Sequence, residues 1–226
     1  MTFPGDDGLS RARRRGRPSS PFDGGAGAPT FTILSICTGN ICRSPMAEQL
    51  FRKELASVAA PSGQPLFAFT SAGVQTRDGI PMDEMSAHFA REHGAVPDAH
   101  ASSKLSEPLA SGADVMLTMT RDHLVDAAKR YPATLLRGFT LREFARVLPF
   151  VLAEIPLPTV ADPAARMRAV VRLAAANRGR VPSTGNVQDD IEDPIGRSEK
   201  THARVADQID EAVSSIARDL RALAQR

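Results

Sequence analysis

The chain has 226 residues, of which 42% are hydrophobic and 24% are charged, and its formal net charge is +2 at pH 7. This composition is typical of a soluble globular protein, and the charge is too small to indicate binding to nucleic acid or to a membrane surface. Only two cysteines occur, which excludes a disulfide-stabilised secreted scaffold and predicts a cytoplasmic protein. We expect no membrane insertion, because no apolar run is long enough to span a bilayer.

The first 29 residues are rich in Gly, Pro, Ser and Arg and contain few large apolar side chains. Such a segment buries too little apolar surface to fold, so we predict a disordered tail over residues 1–29. Five arginines lie between positions 11 and 17, and a cluster of this kind could tether the tail to nucleic acid or phospholipid. We favour the simpler interpretation of a solvated tail, and expect no nucleic-acid partner.

A candidate catalytic site follows the tail. Residues 31–36 predict a buried strand, and residues 46–55 predict a helix, with Pro45 suited to its first turn. Cys37 and, after five intervening residues, Arg43 lie between them. Loop N–H groups at the carboxyl end of a strand and the start of a helix can bind an oxyanion. Arg43 can hold two anion oxygens, and the same positive field favours the thiolate of Cys37.

Strands and helices alternate along the rest of the chain. We predict further strands over residues 66–71, 114–119 and 134–136, and helices over residues 81–93, 121–129, 141–148, 162–176 and 198–224. The alternation predicts an α/β fold with a central four-stranded parallel sheet, flanked by helices, and a phosphate loop after the first strand. Ligands of such sheets bind at the carboxyl ends of the strands, where the loop lies.

The sequence Cys37-Thr-Gly-Asn-Ile-Cys42-Arg43-Ser44-Pro45 resembles the signature loop of the low-molecular-weight protein tyrosine phosphatases. The resemblance covers most of residues 31–148 and resumes near residue 190. We therefore expect one phosphatase domain over residues 30–226, with an insertion at about 149–188. The family resemblance implies a protein phosphatase that needs no cofactor or metal and hydrolyses phosphotyrosine in proteins through a cysteinyl-phosphate intermediate.

The resemblance also assigns roles to individual residues. Cys37 would attack phosphorus, while Arg43 and the loop N–H groups hold the equatorial oxygens. Asn40 would hold the loop in its shape, with Ser71 and His100 as its partners, and Ser44 would hydrogen-bond the sulfur. Cys42 could form a reversible disulfide with Cys37. The expected substrate-binding residues are Thr38, Gly39, Asn40, Ile41, Cys42 and Ser44.

Two Asp-Pro pairs are candidates for the general acid that protonates the leaving oxygen. Asp162 precedes an Ala-rich helix, where an N-cap is its ordinary role. Asp193 lies in a polar loop before the last helix, where the resembled family has its acid, so we predict Asp193. Nearby Asp189, Asp190 and Glu192 are expected to crowd it with negative charge and favour its protonated form.

Other functions are compatible with parts of the pattern. Many family members have aromatic residues where Ile195 and Gly196 stand, and relatives acting on phosphoarginine tend to have threonine in place of Ile41. Phosphoarginine is therefore the first alternative substrate, although Ile41 favours an aromatic phosphoester. An arsenate reductase would need cysteines beyond Cys37 and Cys42 to relay a disulfide. A non-catalytic phosphate-binding module is the remaining alternative.

Overall fold

The computed structural model describes residues 30–181 and 189–226. The predicted tail and residues 182–188 of the predicted insertion lie outside the described residues. Four parallel strands form one sheet in the order β2-β1-β3-β4. Their bounds are β1 Phe31–Cys37, β2 Phe67–Gly73, β3 Val115–Thr118 and β4 Gly138–Thr140. The α/β fold with a parallel four-stranded sheet is confirmed, and the first three strands lie within two residues of their predicted bounds.

The fourth strand was predicted at the wrong place. Residues 134–136 belong to a 3₁₀ helix, Pro132–Leu136, and the strand follows it. A Cβ at Gly138 would lie 2.6 Å from Leu124 Cδ1 and 2.8 Å from the Thr134 carbonyl oxygen. Only glycine allows this close approach, yet glycine is disfavoured in strands. Local propensity therefore indicated the wrong segment.

Helices cover both faces of the sheet. They are α1 Arg43–Leu55, α2 Glu84–Glu92, α3 Glu107–Gly112, α4 Arg121–Arg130, α5 Leu141–Glu154, α6 Pro163–Asn177 and α7 Glu199–Ala224. Helix α3 was not predicted. Helix α2 begins after Asp83, whose carboxylate accepts the Ser86 N–H, and not at Pro81.

Helix α5 continues through Pro149, where we expected it to end. A proline inside a helix removes one hydrogen bond and costs about 3 kcal/mol. Phe144, Leu148 and Val151 are fully buried on the same helix, and their burial outweighs this penalty, since each contributes about 1.5–3 kcal/mol.

Two hydrophobic clusters pack on the sheet. The larger contains residues of α1, α2, α5, α6 and α7, and the smaller contains residues of α3 and α4. The predicted apolar stripe of α7 is at most 1% exposed and packs into the larger cluster: Val205, Ile209, Val213, Ile216, Leu220 and Leu223. No helix within residues 30–181 or 189–226 has both the length and the apolar character needed to cross a bilayer.

Helix α6 lies within the predicted insertion and packs on the core. Asp162 caps it by accepting the Ala165 N–H at 2.8 Å, which is the role expected for that aspartate. Arg168 donates to Asp114, which precedes β3, and to the carbonyl of Thr30, which precedes β1. These contacts place this part of α6 at the amino edge of the sheet, opposite the edge at which Cys37 ends β1.

Candidate active site

Cys37 is the last residue of β1, and α1 begins at Arg43. Strand β1 lies between β2 and β3, so the connecting loop stands at the carboxyl edge of the two central strands. The Cys37 side chain is in the core, and the residue is only 2% exposed. Sequence reasoning therefore placed the loop, the strand before it and the helix after it correctly.

The loop is held with its carbonyl groups turned outward. Four of its carbonyl oxygens accept hydrogen bonds from outside the loop: Cys37 O from Val74 N at 3.0 Å, Thr38 O from Gln75 N at 3.0 Å, Asn40 O from His100 Nε2 at 2.7 Å and Ile41 O from Asp83 N at 2.8 Å. The C=O and N–H of a trans peptide unit point in opposite directions. The N–H groups that follow these carbonyls therefore face the inside of the loop, where they can bind an anion.

Asn40 fixes the shape of the loop. Its φ is +53°, in the left-handed region that few side chains adopt. Its side-chain amide donates to Ser44 Oγ at 2.9 Å and to Ser71 Oγ at 2.8 Å, and its Oδ1 accepts the Ser103 N–H at 2.7 Å. Together with the His100 contact, these bonds offset the backbone strain. The structure thus brings both predicted supporting residues, Ser71 and His100, into contact with Asn40.

Two donors approach the sulfur of Cys37. Asn40 N donates to Sγ at 3.2 Å, and Ser44 Oγ lies 3.0 Å from Sγ. Ser44 Oγ accepts from the Asn40 amide, and its own hydrogen can go to the sulfur at 3.0 Å or to the Ala72 carbonyl at the longer distance of 3.4 Å. The hydrogen-bond network of Asn40 continues through Ser71 to Glu48, whose carboxylate accepts from Ser71 Oγ at 2.7 Å. Glu48 was not predicted from the sequence. This arrangement surrounds the sulfur of the predicted nucleophile with polar groups.

Arg43 connects the loop to the predicted acid. It is 3% exposed, and its guanidinium donates to the Ile191 carbonyl at 2.9 Å and to Asp193 Oδ2 at 2.6 Å. Its Nε is buried and has no hydrogen-bond partner among the described residues. A buried donor without a partner is costly, so a bound anion at the loop would satisfy this N–H.

The acidic residues around Asp193 are paired, contrary to the predicted crowding. Asp189 contacts Arg146 at 2.7 Å, Asp190 accepts the Arg121 N–H at 2.7 Å, and Glu192 pairs with Arg204. Arginine side chains thus compensate the charges of Asp189 and Glu192, while Asp190 is held by a backbone hydrogen bond, and all three contacts anchor the loop. The charged group in direct contact with Asp193 is Arg43, which the sequence did not predict.

A cavity of about 210 Å³ opens over the loop. It is lined by Cys37, Thr38, Gly39, Ile41, Cys42, Arg43, Asp193 and Ile195. The structure thus gathers the predicted nucleophile, cation and acid around one cavity, while Asn40 in the loop and Ser44 in the first turn of α1 are fully buried. Tyr131, the single tyrosine, lies at the end of α4 and does not line this cavity.

Cys42 is a second buried thiol beside the nucleophile, and both cysteines are free. Burial raises the pKa of the Cys42 thiol, and a hydrogen bond with Ser86 opposes this only in part. Cys42 is therefore protonated at neutral pH. Within residues 30–181 and 189–226, no group of three or more His, Cys, Asp or Glu side chains could hold a metal ion.

Two further residues at the site were missed in the sequence. His123 Nε2 lies 2.8 Å from Thr38 Oγ1, and Gly73 packs directly under the loop. His123 could have been suspected, because it follows β3 in the first turn of α4 and β3 is the neighbour of β1. Nothing in the sequence marked Gly73 as more than the end of a strand.

Substitution of Gly73 with alanine is expected to disturb the loop. The new Cβ would lie 2.6 Å from the Thr38 carbonyl oxygen and 3.1 Å from Asn40 N, so the backbone that forms the anion site must move. A displacement of about 1 Å in a catalytic site can lower the rate by up to about 100-fold. We therefore expect the shifted loop to raise Kd for inorganic phosphate, measured by calorimetry, about tenfold or more.

Gly179→Ala is the matched control, because a Cβ there meets nothing within 4 Å. It should leave phosphate affinity unchanged. Equal phosphate affinity in the Gly73→Ala and Gly179→Ala variants would contradict the proposed dependence of the loop on this close approach.

Comparisons with known proteins agree with the fold and the loop. The family model described as low molecular weight phosphotyrosine protein phosphatase matches residues 32–171. The low molecular weight protein-tyrosine-phosphatase Etp of Escherichia coli is 36% identical over 110 residues, which are 49% of this chain and 67% of Etp. The protein-arginine-phosphatase of Bacillus subtilis is 33% identical over 112 residues, 50% of this chain and 71% of that protein.

Solved structures show the same similarity. A YwlE mutant from Bacillus subtilis matches with a TM-score of 0.60 and 25% identity, covering 84% of this chain and 99% of YwlE. Vibrio vulnificus Wzb in complex with benzylphosphonate matches with a TM-score of 0.58, covering 84% of this chain and 98% of Wzb, and at 22% identity it supports the fold alone. The family model spans more than half of the chain, including the loop from Cys37 to Arg43. The chain therefore belongs to the low molecular weight phosphotyrosine protein phosphatase family.

Proposed function

We propose that this protein hydrolyses phosphotyrosine in protein substrates through a cysteinyl-phosphate intermediate on Cys37. The observation that carries the proposal is the convergence of Cys37, Arg43 and Asp193 on one cavity, above a loop whose N–H groups face inward. A nucleophile, a cation and an acid are the groups that phosphoryl transfer requires.

In the first step, the Cys37 thiolate forms a bond to phosphorus while the bond from phosphorus to the tyrosine oxygen breaks. The inward N–H groups and Arg43 stabilise the charge on the equatorial oxygens. Asp193 gives its proton to the leaving oxygen, which yields tyrosine. In the second step, water attacks phosphorus and gives a proton to Asp193, and the S–P bond breaks to release phosphate and the thiolate.

The contact between Arg43 and Asp193 makes the acid a competitor of the substrate for the cation. Asp193 Oδ2 accepts from the Arg43 guanidinium at 2.6 Å. A phosphoryl group bound in the loop would compete with Asp193 for the N–H groups of Arg43. Substrate binding is therefore expected to release the Asp193 carboxyl group, so that it can face the leaving oxygen.

The wall of the cavity supports an aromatic substrate. Ile41 and Ile195 both line it, and Ile195 is 46% exposed, so an apolar surface rises from the loop toward solvent. A tyrosine ring can pack there, although aliphatic side chains give less specific contact than aromatic ones. Phosphoarginine is the second candidate, because a relative named protein-arginine-phosphatase is 33% identical.

The remaining proposals concern the whole chain. We infer a cytoplasmic location, because Cys37 and Cys42 are both free and a thiolate nucleophile needs a reducing compartment. We infer that residues 30–226 act as one phosphatase domain. The contacts of α6 at the opposite edge of the sheet support a structural role for this part of the predicted insertion, and not a lid over the cavity.

The test compares peptides that carry phosphotyrosine, phosphoserine or phosphoarginine, with a chelator present to remove metals. We expect selective phosphate release from phosphotyrosine. Faster release from phosphoarginine would keep the mechanism and overturn the substrate assignment. No release from any peptide, with phosphate still bound, would favour a binding module over an enzyme.

A further inference from the structure

His123 occupies a buried position beside the loop. It lies in the first turn of α4, whose N-cap is Thr120, and is 7% exposed. Strand β3 leads into this helix and pairs with β1. The topology therefore brings the start of α4 against the first residue after the nucleophile, Thr38.

Both ring nitrogens of His123 contact a threonine hydroxyl. Nε2 lies 2.8 Å from Thr38 Oγ1, and Nδ1 lies 2.9 Å from Thr120 Oγ1. Thr120 Oγ1 also accepts the backbone N–H of His123 at 3.3 Å as the helix cap. The imidazole thus joins the helix cap to the loop.

The ring is neutral at physiological pH. Burial, and then the charge of Arg43, lower the pKa of His123 to about 4, against the opposing effect of Asp193, Asp126 and Asp122. A neutral imidazole donates from one nitrogen and accepts at the other. The orientation of both threonine hydroxyls therefore depends on which nitrogen carries the hydrogen.

One tautomer suits an anion site and the other does not. With hydrogen on Nε2, the ring donates to Thr38 and accepts from Thr120, so the Thr38 hydroxyl hydrogen is free to face the cavity that Thr38 lines. With hydrogen on Nδ1, Thr38 must donate to the ring and present lone pairs to the cavity. Lone pairs facing a phosphoryl oxygen would repel it.

We propose that His123 is a positioning residue that donates its Nε2–H to Thr38 and so makes the Thr38 hydroxyl a hydrogen-bond donor to the bound phosphoryl group. The inference rests on the proposed function and adds a donor to the loop N–H groups and Arg43. Hydrogen bonds to charged groups are stronger than those between neutral groups. The Thr38 hydroxyl, as a donor to the charged phosphoryl group, is therefore expected to raise kcat/KM about tenfold or more.

A set of variants separates this role from a structural one. In glutamine, the side-chain amide nitrogen can take the place of Nε2 and still donate to Thr38, whereas in asparagine it reaches only the place of Nδ1. We expect His123→Gln to keep kcat/KM for a phosphotyrosine peptide within about threefold, and His123→Asn and Thr38→Val each to lower it about tenfold. Adding His123→Asn to Thr38→Val should change kcat/KM little further, because the histidine acts through the threonine.

Equal losses in His123→Gln and His123→Asn, or losses that multiply in the double variant, would overturn the proposal. A second measurement needs no turnover. In ¹⁵N-labelled protein saturated with inorganic phosphate, long-range proton–nitrogen spectra report the tautomer of each histidine, and the signal missing in His123→Asn identifies His123.

We expect the Nε2–H form. An Nδ1–H or doubly protonated ring would overturn the assignment. This readout keeps the two proposals distinct, because lack of phosphatase activity contradicts the proposed function, while the wrong tautomer contradicts only the role of His123.

Discussion

Replacement of Cys37 by serine is expected to reduce kcat for a phosphotyrosine peptide by about 10⁴-fold or more. A serine hydroxyl is not ionised at neutral pH and cannot form the phosphate ester at a useful rate. The side chain keeps its size, so the N–H groups of the loop remain in place. Phosphate affinity should therefore change little, and calorimetry beside steady-state kinetics will measure both quantities.

The matched control is Cys42→Ser in the same loop. Cys42 is buried and protonated and has no assigned part in bond formation, so this variant should keep most of its turnover. In rapidly quenched wild-type reactions, the phosphate label should be on Cys37. Retention of turnover by Cys37→Ser, or a label on another residue, would refute the mechanism.

Asp193→Asn is expected to lower kcat for the phosphotyrosine peptide by about 10²–10⁴-fold, the usual contribution of a general acid. An amide cannot protonate the leaving oxygen. The loss should be smaller for aryl phosphates whose leaving groups are weaker bases, because these leave without a proton. The basic limb of the pH–rate profile, which reports loss of the acid proton, should also disappear.

Phosphate binding gives a second signature of this residue. The amide of the Asp193→Asn variant carries no charge and no longer competes with phosphate for Arg43, so phosphate should bind this variant at least as tightly as the wild type. Asp162→Asn is the control, since asparagine keeps the N-cap of α6 and the residue belongs to the other Asp-Pro pair. A profile of Asp193→Asn that retains its basic limb would exclude Asp193 as the acid.

The sequence alone was sufficient to predict those features that depend on residues close together in the chain. A phosphate loop between a strand and a helix was predicted from the apolar run before Cys37, the loop residues and the helical spacing after Arg43. The structure has that arrangement. The stripe on α7 predicted its buried face, because helical spacing alone decides which residues share a side. The cap at Asp162 followed from the same local reasoning.

Tertiary structure decided what depends on distant segments. Residues 134–136 have strand propensity, but close packing places the strand at Gly138. Pro149 does not end α5, because burial of its neighbours exceeds the cost of the proline. In both cases contacts from elsewhere in the chain outweigh a local preference.

In the active site, too, some features follow from the local sequence and others from contacts between distant segments. The motif predicted Cys37, Arg43 and Asp193 as the reactive groups of the site, but it did not predict that Asp193 contacts Arg43. Asp189 and Glu192 pair with arginines of other elements, Asp190 accepts the backbone N–H of Arg121, and Asp193 itself contacts Arg43. Likewise, no local pattern links His123 to Thr38, which are 85 positions apart. Sequence determines which groups are available, but only the packing of strands side by side determines which groups meet, because hydrogen bonds and ion pairs depend on distances of a few ångströms.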